Sequence, residues 1–324
     1  ATAPRPGRPS RAGLPRCAFA IDLDDLMKLS IVLIAYDMQR EVPRTLQSLL
    51  PCYQRGGDEL PYEVILIDNG SPQPLQVDPA ALPGLNLRQL RIEDGSPSPA
   101  QAINRGIAMA RGEVVCVMVD GAHLLTPGTL QWAMRCFAAF DNPVVATRYF
   151  YLGPMEQPEA IQRGYTKGVE DELLAQIQWP DDGYRLFEIG TPLRHGADKI
   201  TWFNRMFESN CLFLRKSLLE AVGGADERFD LPGGGFVNLD LYKRAADTPG
   251  ANLVQLVGEG SFHQLHGGTT TNSGKDEREA RLEAFRDQYQ SLRGDLQLVS
   301  GKPLNFMGHL PTQASKIHLR NRAP

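Results

Sequence analysis

Two aspartates and a pair of histidines stand out as residues able to do chemistry. Glu63-Val-Ile-Leu-Ile-Asp-Asn-Gly-Ser71 and Glu113-Val-Val-Cys-Val-Met-Val-Asp-Gly-Ala-His123 are apolar runs of strand length, interrupted at Asp68 and Asp120. Runs of this kind read as strands buried on both faces of a parallel sheet. Their aspartates then lie at the carboxyl ends, the edge at which open α/β sheets bind ligands. Negative charge beside a buried sheet is costly unless a ligand or metal meets it. Far downstream, Ser261-Phe-His-Gln-Leu-His-Gly-Gly-Thr-Thr-Thr-Asn272 sets two imidazoles three residues apart, ahead of two glycines and a run of hydroxyls. Its plainer reading is a polar turn.

A nucleotide crevice needs a carboxylate for base or ribose, an aromatic to pack on the base, and positive charge for a diphosphate. The chain has no Walker lysine motif, and no Gly-x-Gly-x-x-Gly follows the first apolar run. P-loop and dinucleotide folds are therefore disfavoured. A divalent cation on carboxylate and imidazole ligands is another way to neutralise a diphosphate, and Mg2+ or Mn2+ suits such oxygen-rich ligation.

The elements that must position these groups alternate. Strands are expected at 30–35, 63–67, 87–92, 114–119 and 144–149, with helices beginning near Pro43, Ser96 or Ser98, and Thr126-Pro127. The apolar spacing of Ala102, Ile103, Ile107 and Ala110 is helical, as is that of Leu130, Met134 and Phe137. This order predicts right-handed βαβ units in a mostly parallel sheet, an α/β fold flanked by helices. Later, one polar helix is expected over 159–178, a strand over 207–214, helices over 217–222 and 238–246, a strand over 253–257, a charged helix over 276–292, and then a tail.

With 324 residues, 42% hydrophobic and 22% charged, the chain has room for one large α/β domain or two small ones. A formal net charge of −4 gives no basic excess, which argues against nucleic-acid binding. No apolar run approaches the roughly 20 residues of a membrane span. The five cysteines, Cys17, Cys52, Cys116, Cys136 and Cys211, are scattered. They read as free thiols of a cytoplasmic protein. The Pro/Arg-rich start, 1–27, lacks the apolar core of a signal peptide and is expected to be a disordered arm.

Ser30-Ile-Val-Leu-Ile-Ala-Tyr36, the stretch ending at Ser71, Asn104-Arg-Gly-Ile-Ala-Met-Ala-Arg-Gly-Glu113 and Val117-Met-Val-Asp-Gly-Ala122 follow one another in order. Together they resemble the nucleotide-sugar-binding half of a GT-A glycosyltransferase of the family 2 type. The resemblance covers 30–149 and resumes at Glu208-Ser-Asn-Cys-Leu-Phe-Leu-Arg215, Val222-Gly-Gly-Ala-Asp-Glu-Arg-Phe229 and Leu241-Tyr-Lys-Arg244. The stretch 151–205 matches nothing in it.

The resemblance implies one GT-A domain over 28–272, with a nucleotide-sugar half (28–150), an acceptor half (151–272), and a carboxy-terminal helix and tail (273–324). Tyr36 and Asp68 are implied for the nucleoside, with Asp37 and Arg40 as weaker candidates. Asp120 matches the leading carboxylate of the family's Asp-x-Asp metal motif, but position 122 is Ala. The implied metal ligands are therefore Asp120 with His263, then His266, and His123 as the nearest substitute for the missing carboxylate. Gly267 and Gly268 would let a lid close over the donor, with Thr269 and Thr270 reaching phosphate oxygens.

In inverting members of the family, an acidic pair at the helix start before Leu241 supplies the general base. Here those positions are Val237 and Asn238. A neutral amide does not take a proton. Asn238 and Asp240 remain the candidates facing the acceptor, Asp230 and Glu208 are other carboxylates, and a retaining outcome stays open.

The implied function is metal-dependent transfer of a sugar, from a nucleoside diphosphate sugar (a UDP-sugar favoured), to a hydroxyl acceptor such as a glycan. A bacterial surface polysaccharide or a natural product would each suit that acceptor. The cofactor is Mn2+ or Mg2+, and homo-oligomerisation stays open. A non-catalytic nucleotide-sugar or glycan-binding module of the same fold is the alternative. A nucleotidyltransferase ranks below both, because 35–40 holds no glycine. Trp179, Trp202 and Phe203 are read either as sugar-stacking aromatics or as core.

Overall fold

The computed structural model describes residues 29–194, 200–206, 209–267 and 275–315. The amino-terminal arm, Cys17, Glu208, Gly268, Thr269 and Thr270 lie outside the described residues.

The first half alternates as its periodicity demands. β1 (Leu29–Ala35), α1 (Glu41–Ser48), β2 (Tyr62–Asp68), β3 (Leu87–Arg91), α2 (Ala100–Met109), β4 (Val114–Met118), β5 (His123–Leu125), α3 (Thr129–Ala139) and β6 (Pro143–Leu152) follow in order. β1, β2 and β4 are buried at every position, as continuous apolar strands in the middle of a sheet must be. β1 alternates its side chains between two cores. Val32 and Ile34 meet Ile103 and Ile107 of α2 on one face. Ile31 and Leu33 meet Leu46 of α1 and Leu130 and Phe137 of α3 on the other. Each such buried Leu, Ile or Val contributes about 1.5–3 kcal/mol.

The second half departs more from expectation. α4 (Gln157–Gln162) and α5 (Lys167–Gln176) replace the single helix expected over 159–178. Gly164, at φ +90, breaks the chain between them, and the Thr166 side chain accepts from Val169 N to start α5. α6 (Leu186–Ile189), β7 (Gly190–Pro192), β8 (Leu212–Arg215), α7 (Lys216–Ala221), α8 (Val237–Asp247), β9 (Asn252–His263), α9 (Lys275–Arg293) and β10 (Leu304–Gly308) complete the fold. β9 is far longer than the 253–257 expected, and the tail contains a strand, β10.

The sheet runs β10-β9-β6-β8-β4-β1-β2-β3, with β5 paired to β9 and β7 to β6. β8 is antiparallel to both β4 and β6, while β1, β2, β3 and β4 pair in parallel. The expected mostly parallel α/β sheet is present, with antiparallel pieces joining its halves. A smaller core of Phe150, Phe187, Trp202 and Phe262 sits under 151–205. Trp202 is buried there, and its indole N–H donates to Ala314 O at 3.2 Å, so it is a core residue. Thr126 does not cap α3. Its hydroxyl donates to the buried Glu259 at 2.5 Å, and Gly128 takes the cap position.

Candidate functional site

The end of β4 and the end of β9 converge through β5. In the β5–β9 pairing His123 lies opposite His263, and the N–H of Gln264 donates to Ala122 O at 2.8 Å. Residue 122 is fully buried against this strand. The place of the family's missing second carboxylate is thus packed, and the histidines arrive from the neighbouring strand.

Asp120 is fixed by its own turn. Its backbone N–H donates to Asn210 Oδ1 at 2.7 Å, and Asn210 Nδ2 donates to Asp120 O at 3.0 Å. The N–H of Ala122 donates to Asp120 Oδ1 at 2.8 Å. That leaves Oδ2, which stands 3.1 Å from His263 Nε2 and 3.0 Å from His266 Nε2, the two nitrogens being 2.9 Å apart. Among the described residues, Asp120, His263 and His266 form the group of acids and imidazoles able to hold a metal ion. Both rings are buried, while the Asp120 side chain is 28% exposed, so the point of convergence is reached from the carboxylate side.

The electrostatics follow from this crowding. Burial pushes the Asp120 carboxyl up, but charge on His266 and His263 outweighs it and holds the carboxyl well below its ordinary range. Burial also opposes a charged His266, yet the facing carboxylate lifts that ring above its ordinary value. At His263 burial wins and the ring is held below it.

His123, expected as a substitute ligand, stands behind the group. It is fully buried, its Nδ1 is 2.6 Å from Ser261 Oγ, and its ring meets His263 edge-on at 4.9 Å. Burial holds it well below its ordinary value, as a neutral packing residue.

The donor candidates divide. Tyr36 leaves β1 with its ring 55% exposed, available to a planar ligand. Asp68 is 5% exposed and already engaged. It accepts from the N–H groups of Ser71 and Leu75 at 2.9 and 3.2 Å, and from Arg91 at 2.7 Å. The aspartate thus shapes the loop after β2. Arg40 is not solvated but tied to Glu41, Glu170 and Asp171.

At α8, Asn238 occupies the first turn and is partly buried. Asp240 is fully buried between Arg293 and Arg244, at 2.5 and 2.7 Å. A carboxylate held this way pins α9 to α8 and has no free face for a substrate proton, which corrects its expected place at the acceptor. Asp230 is exposed and accepts from Gln288 at 2.8 Å.

Three supporting groups were invisible in the sequence pattern. Gln157 contacts His263 from α4 at 2.8 Å, and the buried Glu170 of α5 accepts from the N–H of Leu265 at 2.7 Å. Both lie in 151–205, where the sequence showed no recognisable motif, although the family match reported below extends through it. Asn210 sat inside a recognised motif, but only the fold puts it beside Asp120.

The sequence model described as "Glycosyl transferase family 2" matches residues 30–217, more than half of the chain. The chain belongs to this family, and its structure has the GT-A arrangement. It is a glycosyltransferase that uses a nucleotide-sugar donor. Among solved structures it is similar to S. aureus TarS 1-349 in complex with UDP-GlcNAc, at 16% identity and TM-score 0.51, over 82% of this chain and 67% of that one. TarS 1-349 in complex with UDP matches at 16% identity and TM-score 0.49, over 82% and 72%. A longer TarS structure matches at 15% identity and TM-score 0.49, with 82% of this chain covering 44% of that one. No curated protein matches the chain. Among the described residues, no helix is long and apolar enough to cross a membrane.

Proposed function

We propose that the chain transfers a sugar from a UDP-sugar to a hydroxyl acceptor, to be sought first among glycans, with Mn2+ or Mg2+ held by Asp120, His263 and His266. The observation that carries this reading is the convergence of Oδ2 and two Nε2 atoms at mutual distances of 2.9, 3.0 and 3.1 Å. Adjacent ligands of an octahedral ion bound at about 2.1 Å are themselves about 3.0 Å apart. Neutral imidazole and ionised carboxylate offer lone pairs there, which repel one another unless a proton or cation stands between them. A bound divalent ion would offset the charge that develops on the departing diphosphate.

The chain's own residues supply the rest. Tyr36 packs on the base, and Asp68 with Arg91 shapes the loop beside it. Thr269 and Thr270 stay as proposed phosphate contacts. Asn238 is placed toward the acceptor or the anomeric carbon. We assign Asp240 to holding α8 and α9 together, so the general base is not on that turn. The UDP-GlcNAc complex of the TarS structure makes UDP-sugars the first donors to try.

The test is turnover of a panel of UDP- and GDP-sugars with Mn2+, by the chain and by Asp120→Ala. Turnover with a UDP-sugar that falls by about 10²–10³-fold in the variant supports the reading. Turnover indifferent to chelator and to the substitution contradicts the metal assignment.

A further inference from the structure

We propose that Gln157 is a positioning residue, which fixes His263 in its Nδ1–H tautomer and thereby presents a bare Nε2 to Asp120 and His266. The inference rests on the metal reading above for its purpose, but its geometry stands alone.

Gln157 opens α4, and its side chain is fully buried. Its Nε2 donates to the backbone carbonyl of His263 at 3.1 Å, and its Oε1 is 2.8 Å from Nδ1 of the same residue. These two contacts determine each other. A backbone carbonyl only accepts, so the amide nitrogen must face it. The amide oxygen must then face Nδ1, and because that oxygen only accepts, Nδ1 must carry the hydrogen. In a neutral ring the other nitrogen is left with its lone pair. That nitrogen, Nε2, is the atom 3.1 Å from Asp120 Oδ2 and 2.9 Å from His266 Nε2.

Flipping the amide would set oxygen against oxygen at His263 O, so no alternative orientation satisfies both contacts. Around the ring, His123 meets it edge-on and Tyr149 by stacking. Partners behind a metal-binding imidazole commonly set which nitrogen ligates, and their loss weakens binding. One amide thus holds both the backbone and the ring of His263.

Two variants separate this role from a merely structural one. Gln157→Glu keeps an oxygen for Nδ1–H but loses the donor to His263 O. Gln157→Leu loses both. The first readout is the nitrogen-15 spectrum of the histidine rings in metal-free protein. The second is Mn2+ binding, followed by the loss of the free-ion EPR signal.

The expected results are an Nδ1–H ring at His263 in the parent and in Gln157→Glu, a mixed or inverted tautomer in Gln157→Leu, and a Mn2+ dissociation constant raised about 10–100-fold in Gln157→Leu alone. An Nε2–H ring in the parent, or equal weakening in both variants, overturns the inference. An Nδ1–H parent ring together with no Mn2+ uptake supports the tautomer assignment and sinks the metal reading instead.

Discussion

Strand β9 carries two buried polar clusters on one face, and the contrast between them separates a structural group from a chemical one. Glu259 and His263 both point from this strand and both are almost wholly buried. Around Glu259 three donors converge, with His309 Nδ1 further off at 3.5 Å. Thr126, Tyr184 and the N–H of Gly128 lie at 2.5, 2.8 and 3.2 Å. The carboxyl is satisfied within the protein and simply ties β9 to α3 and to 183–185. Around His263 the outward neighbours are a carboxylate oxygen, Asp120 Oδ2, and a second imidazole nitrogen, His266 Nε2, at 3.1 and 2.9 Å. Glu259 and His263 are both buried, so a buried polar side chain does not by itself mark the site. The convergence of two imidazoles on one carboxylate oxygen does.

The sharpest way to break that contrast is to delete one member of each cluster. Asp120→Ala is expected to reduce sugar transfer by about 10²–10³-fold with the fold intact, because the lost group serves the donor. Glu259→Ala is expected to leave Mn2+ affinity unchanged and to lower stability by about 3 kcal/mol, since three donors lose their acceptor. Donor turnover and thermal unfolding of both variants check the pair. Ala122→Asp restores the missing carboxylate of the motif in sequence only. The residue is fully buried, so the new acid is expected to cost about 3 kcal/mol without tightening Mn2+. Tighter Mn2+ binding by that variant would show that position 122 does face the ion.

Acidity sharpens the contrast further. Burial pushes the Glu259 carboxyl up to about 7 from its ordinary 4.5, against the hydrogen bonds from Thr126 and Tyr184. Between those two values the folded chain holds a proton that the unfolded chain has released. Stability is therefore present below pH 4.5 and is lost as pH rises toward 7, by about 3 kcal/mol in all. Glu259→Gln, which cannot ionise, is expected to flatten that part of the stability–pH curve in denaturant melts. The smallest effect is expected from Tyr184→Phe, about 1–2 kcal/mol for one lost hydrogen bond, with the pH slope retained.

The sequence made the first half of the fold legible because local patterns specify it. Apolar runs of strand length gave β1, β2 and β4 within a residue or two, and the aspartates at their ends gave Asp68 and Asp120. His263 and His266 were legible as a pair, but not as members of a strand, since β9 continues six residues past the apolar run at 253–257. The polar residues that extend it, Glu259, Ser261 and His263, obscure the strand because their partners come from the turn before α3, from β5 and from α4. The break at Gly164 was hidden by helix-forming residues on both sides of it. Gln157, Glu170 and Asn210 carry no motif, because their role is defined by what lies across the fold from them. Asp240 misled for the same reason: its position suggested the acceptor, while Arg293, 53 residues later, claims it.

The most direct test of the central claim is a calorimetric titration of UDP into the chain, with and without Mn2+, repeated on His263→Ala. Mn2+-dependent binding that disappears in the variant is the predicted result. UDP binding of equal strength without Mn2+, or unchanged in His263→Ala, would contradict the assignment of Asp120, His263 and His266 as the metal site.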